Sequence, residues 1–153
     1  MKKTTKKPTK KEVQKIRSDR AYAVASGVML LTHVDRTPVT VHVSPNESFY
    51  RPEYNPTDMR MWIATTIAEL AIDHISENRA VESDLIYNKL ISLDDPNCFL
   101  DRMTTDEVMM LVHTTLHMLT MNWYNLEAIA EQLLACTEET MLCFPPSKYS
   151  LTQ

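Results

Sequence analysis

The stretch Thr104-Thr-Asp-Glu-Val-Met-Met-Leu-Val-His-Thr-Thr-Leu-His-Met-Leu-Thr-Met-Asn-Trp123 is the most apolar helical segment of this sequence. It opens with Thr104-x-x-Glu107, the pattern of a capping box, in which a threonine and a glutamate satisfy the first free amide groups of a helix. Apolar residues then recur three and four positions apart, at Val108, Val112, Leu116, Leu119 and Trp123. This periodicity predicts an amphipathic helix, which we expect to be the central helix of the core.

Helical patterns also appear on both sides of this stretch. A second capping box, Thr9-x-x-Glu12, precedes a helical pattern over residues 10–34 that Pro38 ends. The small residues Ala23 and Gly27 within it would let another helix approach closely, or would tolerate a kink. Further helices are predicted over residues 57–78 and 81–91, with a brief helical piece ending near residue 102. The last helix begins near residue 126 and is stopped by Pro145-Pro146.

One short segment has the alternation of a β-strand. Val39-Thr-Val-His-Val43 alternates apolar and polar residues, a turn signal follows at 44–47, and residues 48–51 can return as a second strand. The sequence therefore predicts a mainly α, single domain of about five helices with a minor β-hairpin near residues 39–51. The chain is expected to divide into a disordered polybasic arm at 1–8, a helical domain at 9–144 and a loose C-terminal tail at 145–153.

Glycine and cysteine usage excludes several classes of function. Gly27 is the single glycine, so no phosphate-cradling loop, dinucleotide fingerprint or nucleophile elbow can be formed. The three cysteines, Cys98, Cys136 and Cys143, are widely spaced and include no C-x-x-C pair, which favours buried thiols in a reducing, cytoplasmic compartment. No segment is apolar over the length of a membrane span. We assign no catalytic residue and expect no cofactor.

Charge divides the chain in two. Residues 1–20 carry nine basic and two acidic side chains, whereas the remaining 133 residues carry seven basic and eighteen acidic ones. A flexible polycation attracts phosphate groups and releases counterions, so this arm is the predicted nucleic-acid-binding element. An acidic protein surface is the alternative target of the arm. The predicted contact residues are Lys2, Lys3, Lys6, Lys7, Lys10, Lys11, Lys15, Arg17 and Arg20.

The acidic residues of the body also form a pattern. Glu69, Asp73 and Glu77 recur four positions apart and are expected to form an acidic ridge along one helix. Such a ridge is a solvated face or a docking site for a basic partner, which includes the protein's own arm. We therefore expect a protein partner or a second copy to bind the body here.

Two other patterns have simpler interpretations. The segment from Leu126 to Met141 resembles a bacterial helix-turn-helix, which implies a second, DNA-reading helix. However, Glu138 and Glu139 would face the phosphates there, so a plain amphipathic helix is favoured. The spacing His113-x-x-x-His117 can chelate Zn²⁺, but no third ligand follows from the sequence. A partly exposed histidine pair on a helix rim is favoured, and no metal ligand is assigned.

These observations favour a non-enzymatic regulatory or accessory binding protein, with an acidic body for protein contacts and an arm for non-specific nucleic-acid contacts. Two alternatives remain open. One is a protein-only inhibitor or adaptor with an acidic docking surface. The other is a metal-dependent helical hydrolase that uses His113, His117 and the region of Asp73.

Overall fold

The computed structural model describes residues 7, 9–45, 49–77, 81–93 and 99–152 of the 153. These residues form five α-helices and a small sheet, so the predicted mainly α fold with a minor β-hairpin is confirmed. The elements in chain order are α1 (Lys10–His33), β1 (Val39–Ser44), β2 (Phe49–Glu53), α2 (Arg60–Ser76), α3 (Ser83–Ile91), a 3₁₀ turn (Phe99–Arg102), α4 (Thr105–Met121), α5 (Trp123–Leu134) and β3 (Thr140–Phe144).

The central helix of the core is α1, not α4 as expected. Helix α1 packs against α2, α5 and both strands of the hairpin, and it buries nine residues. Helix α4 buries five and packs mainly on α2 and α3. The strongly apolar sequence of α4 misled the prediction because Met110 and Met121 face solvent. A high apolar content predicts that a helix buries one of its faces. Whether that helix is the central one depends on how many other elements pack against it.

Both predicted capping boxes are present. The Thr9 hydroxyl accepts the amide of Glu12 while the Glu12 carboxylate accepts the amide of Thr9, and Thr104 and Glu107 repeat this arrangement. These contacts define the starts of α1 and α4 locally. Helix α1 is continuous over its 24 residues. At Gly27 the neighbouring element is α2, because a Cβ atom added there would lie 3.7 Å from Cγ2 of Thr65.

The sheet contains three antiparallel strands in the order β2-β1-β3. Strands β1 and β2 are the predicted hairpin, whose connecting residues 46–48 lie outside the described part of the chain. Strand β3 corrects the expectation that the last helix continues toward Pro145-Pro146. Helix α5 ends at Leu134, and Thr140–Phe144 pairs with β1, with Val41 opposite Leu142. Pairing with a strand about a hundred positions earlier decides this conformation, and local sequence does not contain that information.

The residues after β3 are attached to the body, so the expectation of a loose tail is wrong for positions 147–152. The amide of Ser147 donates to the carbonyl of Thr32 over 2.9 Å, and the side chain of Leu151 is buried. Asn122, between α4 and α5, accepts the amide of Thr152 with its Oδ1 (2.8 Å) and donates to the carbonyl of Thr152 through its Nδ2 (2.9 Å). We call residues 147–152 the C-terminal strap.

Arg36 orients the strap at the other end. It adopts a left-handed backbone conformation (φ 56°) just after α1. Its guanidinium donates to the carbonyls of Ser147 and Tyr149 and to the hydroxyl of Ser150. Nδ1 of His33 lies 3.0 Å from the same Tyr149 carbonyl. The strap therefore joins the end of α1 to the junction of α4 and α5.

Candidate functional site

The exposed start of α1 continues the predicted basic arm. Lys2, Lys3 and Lys6 lie outside the described residues, and Lys7 is exposed. All residues from 10 to 16 are also exposed, including Val13 and Ile16, which are 40% and 51% accessible. The first two turns of α1 therefore extend beyond the packed body. They present Lys10, Lys11 and Lys15 along one helix.

Arg17 does not share this exposure. Its Nε donates to the buried Tyr50 hydroxyl over 3.1 Å, and its Nη2 donates to the carbonyls of Leu134 (3.2 Å) and Cys136 (2.8 Å). The last carbonyls of a helix have no partner within the helix and carry partial negative charge, which a guanidinium satisfies. Arg17 was predicted to contact nucleic acid. The structure instead places its guanidinium against β2 and the end of α5.

Lys15 lies where the basic helix meets the acidic ridge. Helices α1 and α2 run antiparallel, since Lys15 approaches Glu77 near the end of α2 while Gly27 lies beside Thr65. The Nζ of Lys15 is 3.3 Å from Oδ2 of Asp19 and 3.7 Å from Oε1 of Glu77. The hydrogen bond and charge of Asp19, together with the charges of Glu77 and Asp73, raise the pKa of Lys15.

The predicted ridge residues Glu69, Asp73 and Glu77 are all exposed, along α2 and at its end. Near Glu69, loss of hydration around the carboxylate raises its pKa, and the nearby positive charge of Arg20 opposes this effect. The structure therefore brings two members of the predicted basic set next to the acidic ridge. Lys15 and Arg20 of the basic set border the acidic ridge, whereas Lys7, Lys10 and Lys11 lie nearer the start of the chain, beyond the end of the ridge.

The segment that resembles a helix-turn-helix provides one helix rather than two. Helix α5 is the amphipathic first half, with Leu126, Ala130 and Leu133 buried. Strand β3 occupies the position of the second helix, and Glu138 and Glu139 before it are exposed. The favoured interpretation of a plain amphipathic helix therefore holds for residues 126–134, whereas the end of the segment enters strand β3.

The histidine pair of α4 lies on the surface, beside α3. His113 and His117 are both exposed and border two neighbouring cavities of about 370 and 450 Å³. Nδ1 of His113 lies 2.9 Å from the hydroxyl oxygen of Ser83, the first residue of α3. His74, the histidine next to Asp73, has its Nε2 3.3 Å from Nζ of Lys89. Across the described ranges, no three His, Cys, Asp or Glu side chains are grouped so that they could hold a metal ion.

The sequence did not reveal Arg17 and Ser83 as residues with specific partners. Arg17 contacts carbonyls more than 115 positions away, and Ser83 contacts a histidine 30 positions away. An arginine in a basic run and a serine at a helix start are both residue types that usually face solvent, so neither indicates a tertiary contact. Both contacts depend on how distant elements pack, and no local pattern encodes that packing.

Comparison with known proteins identifies no relative: no protein-family model, no curated protein and no solved structure matches this chain significantly. Among the residues that the structure describes, no helix is both long enough and apolar enough to cross a membrane.

Proposed function

We propose that this protein is a small regulatory or accessory binding protein whose basic N-terminal segment contacts the phosphates of nucleic acid. The observation that supports this proposal is the exposure of every residue from 10 to 16 at the start of α1. Lysines in that position add positive charge on a helix that the body does not cover. They also continue the lysine-rich residues 2–7 of the sequence.

The chemistry of this segment favours contacts without sequence preference. Lysine is a flexible point charge that approaches phosphate from many directions, whereas base recognition requires side chains with a fixed bidentate geometry. Arg17 has that geometry, but its guanidinium binds Tyr50 and the end of α5. The segment therefore provides affinity for nucleic acid without sequence preference. The negative charge of the body repels a polyanion, so it limits how much of the chain can approach one.

A salt titration with matched variants tests this proposal. Binding of a labelled 20-base-pair duplex is measured by fluorescence anisotropy between 50 and 200 mM salt, for the full chain and for a variant with Lys10→Gln and Lys11→Gln. If both lysines contact phosphate, the slope of log K against log salt becomes less steep by about 2, since each contact contributes about 0.9. Lys148→Gln, which removes an exposed lysine of the strap, is the control.

A deletion of residues 1–8 is the second arm of the test, because it retains the Thr9–Glu12 capping box. We expect affinity to fall further, by a similar factor for duplexes of different sequence, since phosphate contacts do not depend on sequence. Equal binding by all variants, or an equal loss in the Lys148→Gln control, would overturn the assigned role of the segment.

We further propose that the acidic ridge Glu69, Asp73 and Glu77 receives a basic segment of a protein partner or of a second copy. All three side chains are exposed, and Lys15 shows that a lysine can approach this end of the ridge. Calorimetric titration of a peptide of residues 1–11 into the full chain at low salt provides the test. Binding should be lost with Glu69→Gln and Asp73→Asn together, and absence of binding to the unaltered chain would reject the proposal.

A further inference from the structure

The exposed face of α4 carries two imidazoles at chelating spacing. His113 and His117 are one helical turn apart, and residues four apart on a helix have Cβ atoms about 5–6 Å from each other. Both side chains are exposed, and both line each of the two cavities on this side of α4. Two imidazoles at this spacing on one helix can bind the same metal ion, as in helical H-x-x-x-H metal sites.

Ser83 gives one of these imidazoles a defined orientation. Its hydroxyl oxygen is 2.9 Å from Nδ1 of His113. Histidines that bind metals usually donate the second ring N–H to a neighbouring acceptor, which fixes the tautomer and the ring orientation. If Nδ1–H donates to the hydroxyl, the lone pair of Nε2 remains available to a metal ion. Since α3 packs against α4, the position of this hydroxyl is set by the fold.

We propose that His113 and His117 form a two-histidine site for a divalent first-row transition metal ion such as Zn²⁺, oriented by Ser83. The ligands are Nε2 of His113 and one ring nitrogen of His117. Because the described residues contain no group of three metal-binding side chains, the remaining coordination positions belong to water or to an added ligand. This is an open, accessible site and differs from a closed structural zinc site.

This inference is separate from the proposed contacts of the arm and the ridge. His74, Asp73 and the other acidic residues of α2 are not ligands in it, and His74 lies beside Lys89. The adjoining cavity of about 370 Å³ is lined by the histidines, by the apolar side chains Ile75, Val81 and Leu116, and by the hydroxyl-bearing Ser83 and Thr120. A small ligand bound to the metal would therefore meet both apolar side chains and hydroxyl groups.

Calorimetric titration of Zn²⁺ into the full chain, purified without a histidine tag, tests the site. We expect one ion per chain. His113→Gln and His117→Gln should each weaken binding at least tenfold, because each removes one of two protein ligands. Ser83→Ala should weaken it by about tenfold, the lower end of the loss that removal of a ligand-orienting group causes. His74→Gln is the matched control and should leave the affinity unchanged.

Competing sites are distinguished by further variants. Cys136→Ser and Cys143→Ser remove the two described thiols, which also have affinity for Zn²⁺. The proposal is overturned if these variants abolish binding, if neither His113→Gln nor His117→Gln weakens it, or if the unaltered chain binds no Zn²⁺. Since both histidines are exposed, their substitution should preserve the fold, and circular dichroism of each variant checks this.

Discussion

The guanidinium of Arg17 donates a 2.8 Å hydrogen bond to the carbonyl of Cys136, just beyond the end of α5. The same group contacts the carbonyl of Leu134 and the hydroxyl of Tyr50. One side chain of α1 thus binds both the end of another helix and strand β2. It lies within a run of basic residues whose other described members, from Lys7 to Lys15, are exposed.

We expect Arg17→Ala to lower the free energy of unfolding by about 2–4 kcal/mol. Hydrogen bonds to charged groups contribute about 1.5–3 kcal/mol, and the variant leaves partly buried acceptors without a donor. Urea denaturation measures the change. Lys11→Ala, at an exposed position of the same helix, is the control and should change stability by less than about 0.5 kcal/mol. Equal effects of the two substitutions would contradict the structural role of Arg17.

Asp35 should make the stability of the protein depend on acid pH. Partial burial acts to raise the pKa of Asp35, but hydrogen bonds from Thr37, Thr57 and the Asp58 amide outweigh it and lower the pKa below its usual value of 3.8. The unfolded chain therefore binds the proton more readily than the folded one. The stabilisation is complete above about pH 5 and is lost as the pH falls through the lowered pKa.

Asp35→Asn tests this linkage because it keeps the shape of the side chain and removes its charge. The hydroxyl and amide of Thr57 lie 2.6 and 2.8 Å from the Asp35 carboxylate, so we expect a loss of about 1–3 kcal/mol at pH 7. The difference between the two proteins should shrink as the pH falls below 3.8. Asp101→Asn, at an exposed position, is the control. A difference that stays constant from pH 7 to pH 2.5 would contradict the linkage.

Gly27→Ala should stabilise the protein by about 0.5–1 kcal/mol. Alanine favours the helix over glycine by about that amount and restricts the unfolded chain. The added Cβ atom would lie 3.7 Å from Cγ2 of Thr65, which is an ordinary contact distance. Thermal unfolding should show a higher midpoint. Gly27→Leu is the comparison and should lower the stability, because its larger side chain has to displace Thr65. A loss of stability with alanine as well would contradict the prediction and would show that α1 and α2 leave no room for a Cβ atom at Gly27.

Asn122→Ala should release the strap. The Asn122 side chain accepts from and donates to the backbone of Thr152 and also donates to the carbonyl of Met118 over 2.9 Å. We expect a loss of about 1–3 kcal/mol, together with faster hydrogen exchange at the amide of Thr152. Asn125→Ala, at an exposed position, should change neither quantity. Unchanged exchange at Thr152 in the Asn122 variant would show that Leu151 and the contacts of Arg36 hold the strap without Asn122.

Features that depend on neighbouring residues were predictable from the sequence. The capping boxes at Thr9 and Thr104 place the starts of α1 and α4, and the alternation from Val39 to Val43 identifies β1. Each of these signals lies within a few residues of the element that it defines. The exposure of the lysines at the candidate interface was also predictable, because the charge of a lysine by itself favours hydration.

Features that depend on distant residues were not predictable. Thr140–Phe144 becomes a strand because β1 has a free edge there, and residues 147–152 become ordered because Asn122 and Arg36 bind their backbone. The approach of Ser83 to His113 has the same origin, since it requires α3 to pack beside α4.

The sequence by itself determined the helical class, the hairpin and the separation of a basic start from an acidic body. Only the tertiary structure decided which charges remain available, because pairing depends on distance and burial. It places Arg17 against the end of α5 and Lys15 beside Glu77, and it leaves Lys10 and Lys11 exposed. Composition counts all of these cations equally. In the folded chain these cations differ in their availability, because a guanidinium bound to helix carbonyls is held at that position, whereas a hydrated lysine can still approach a phosphate.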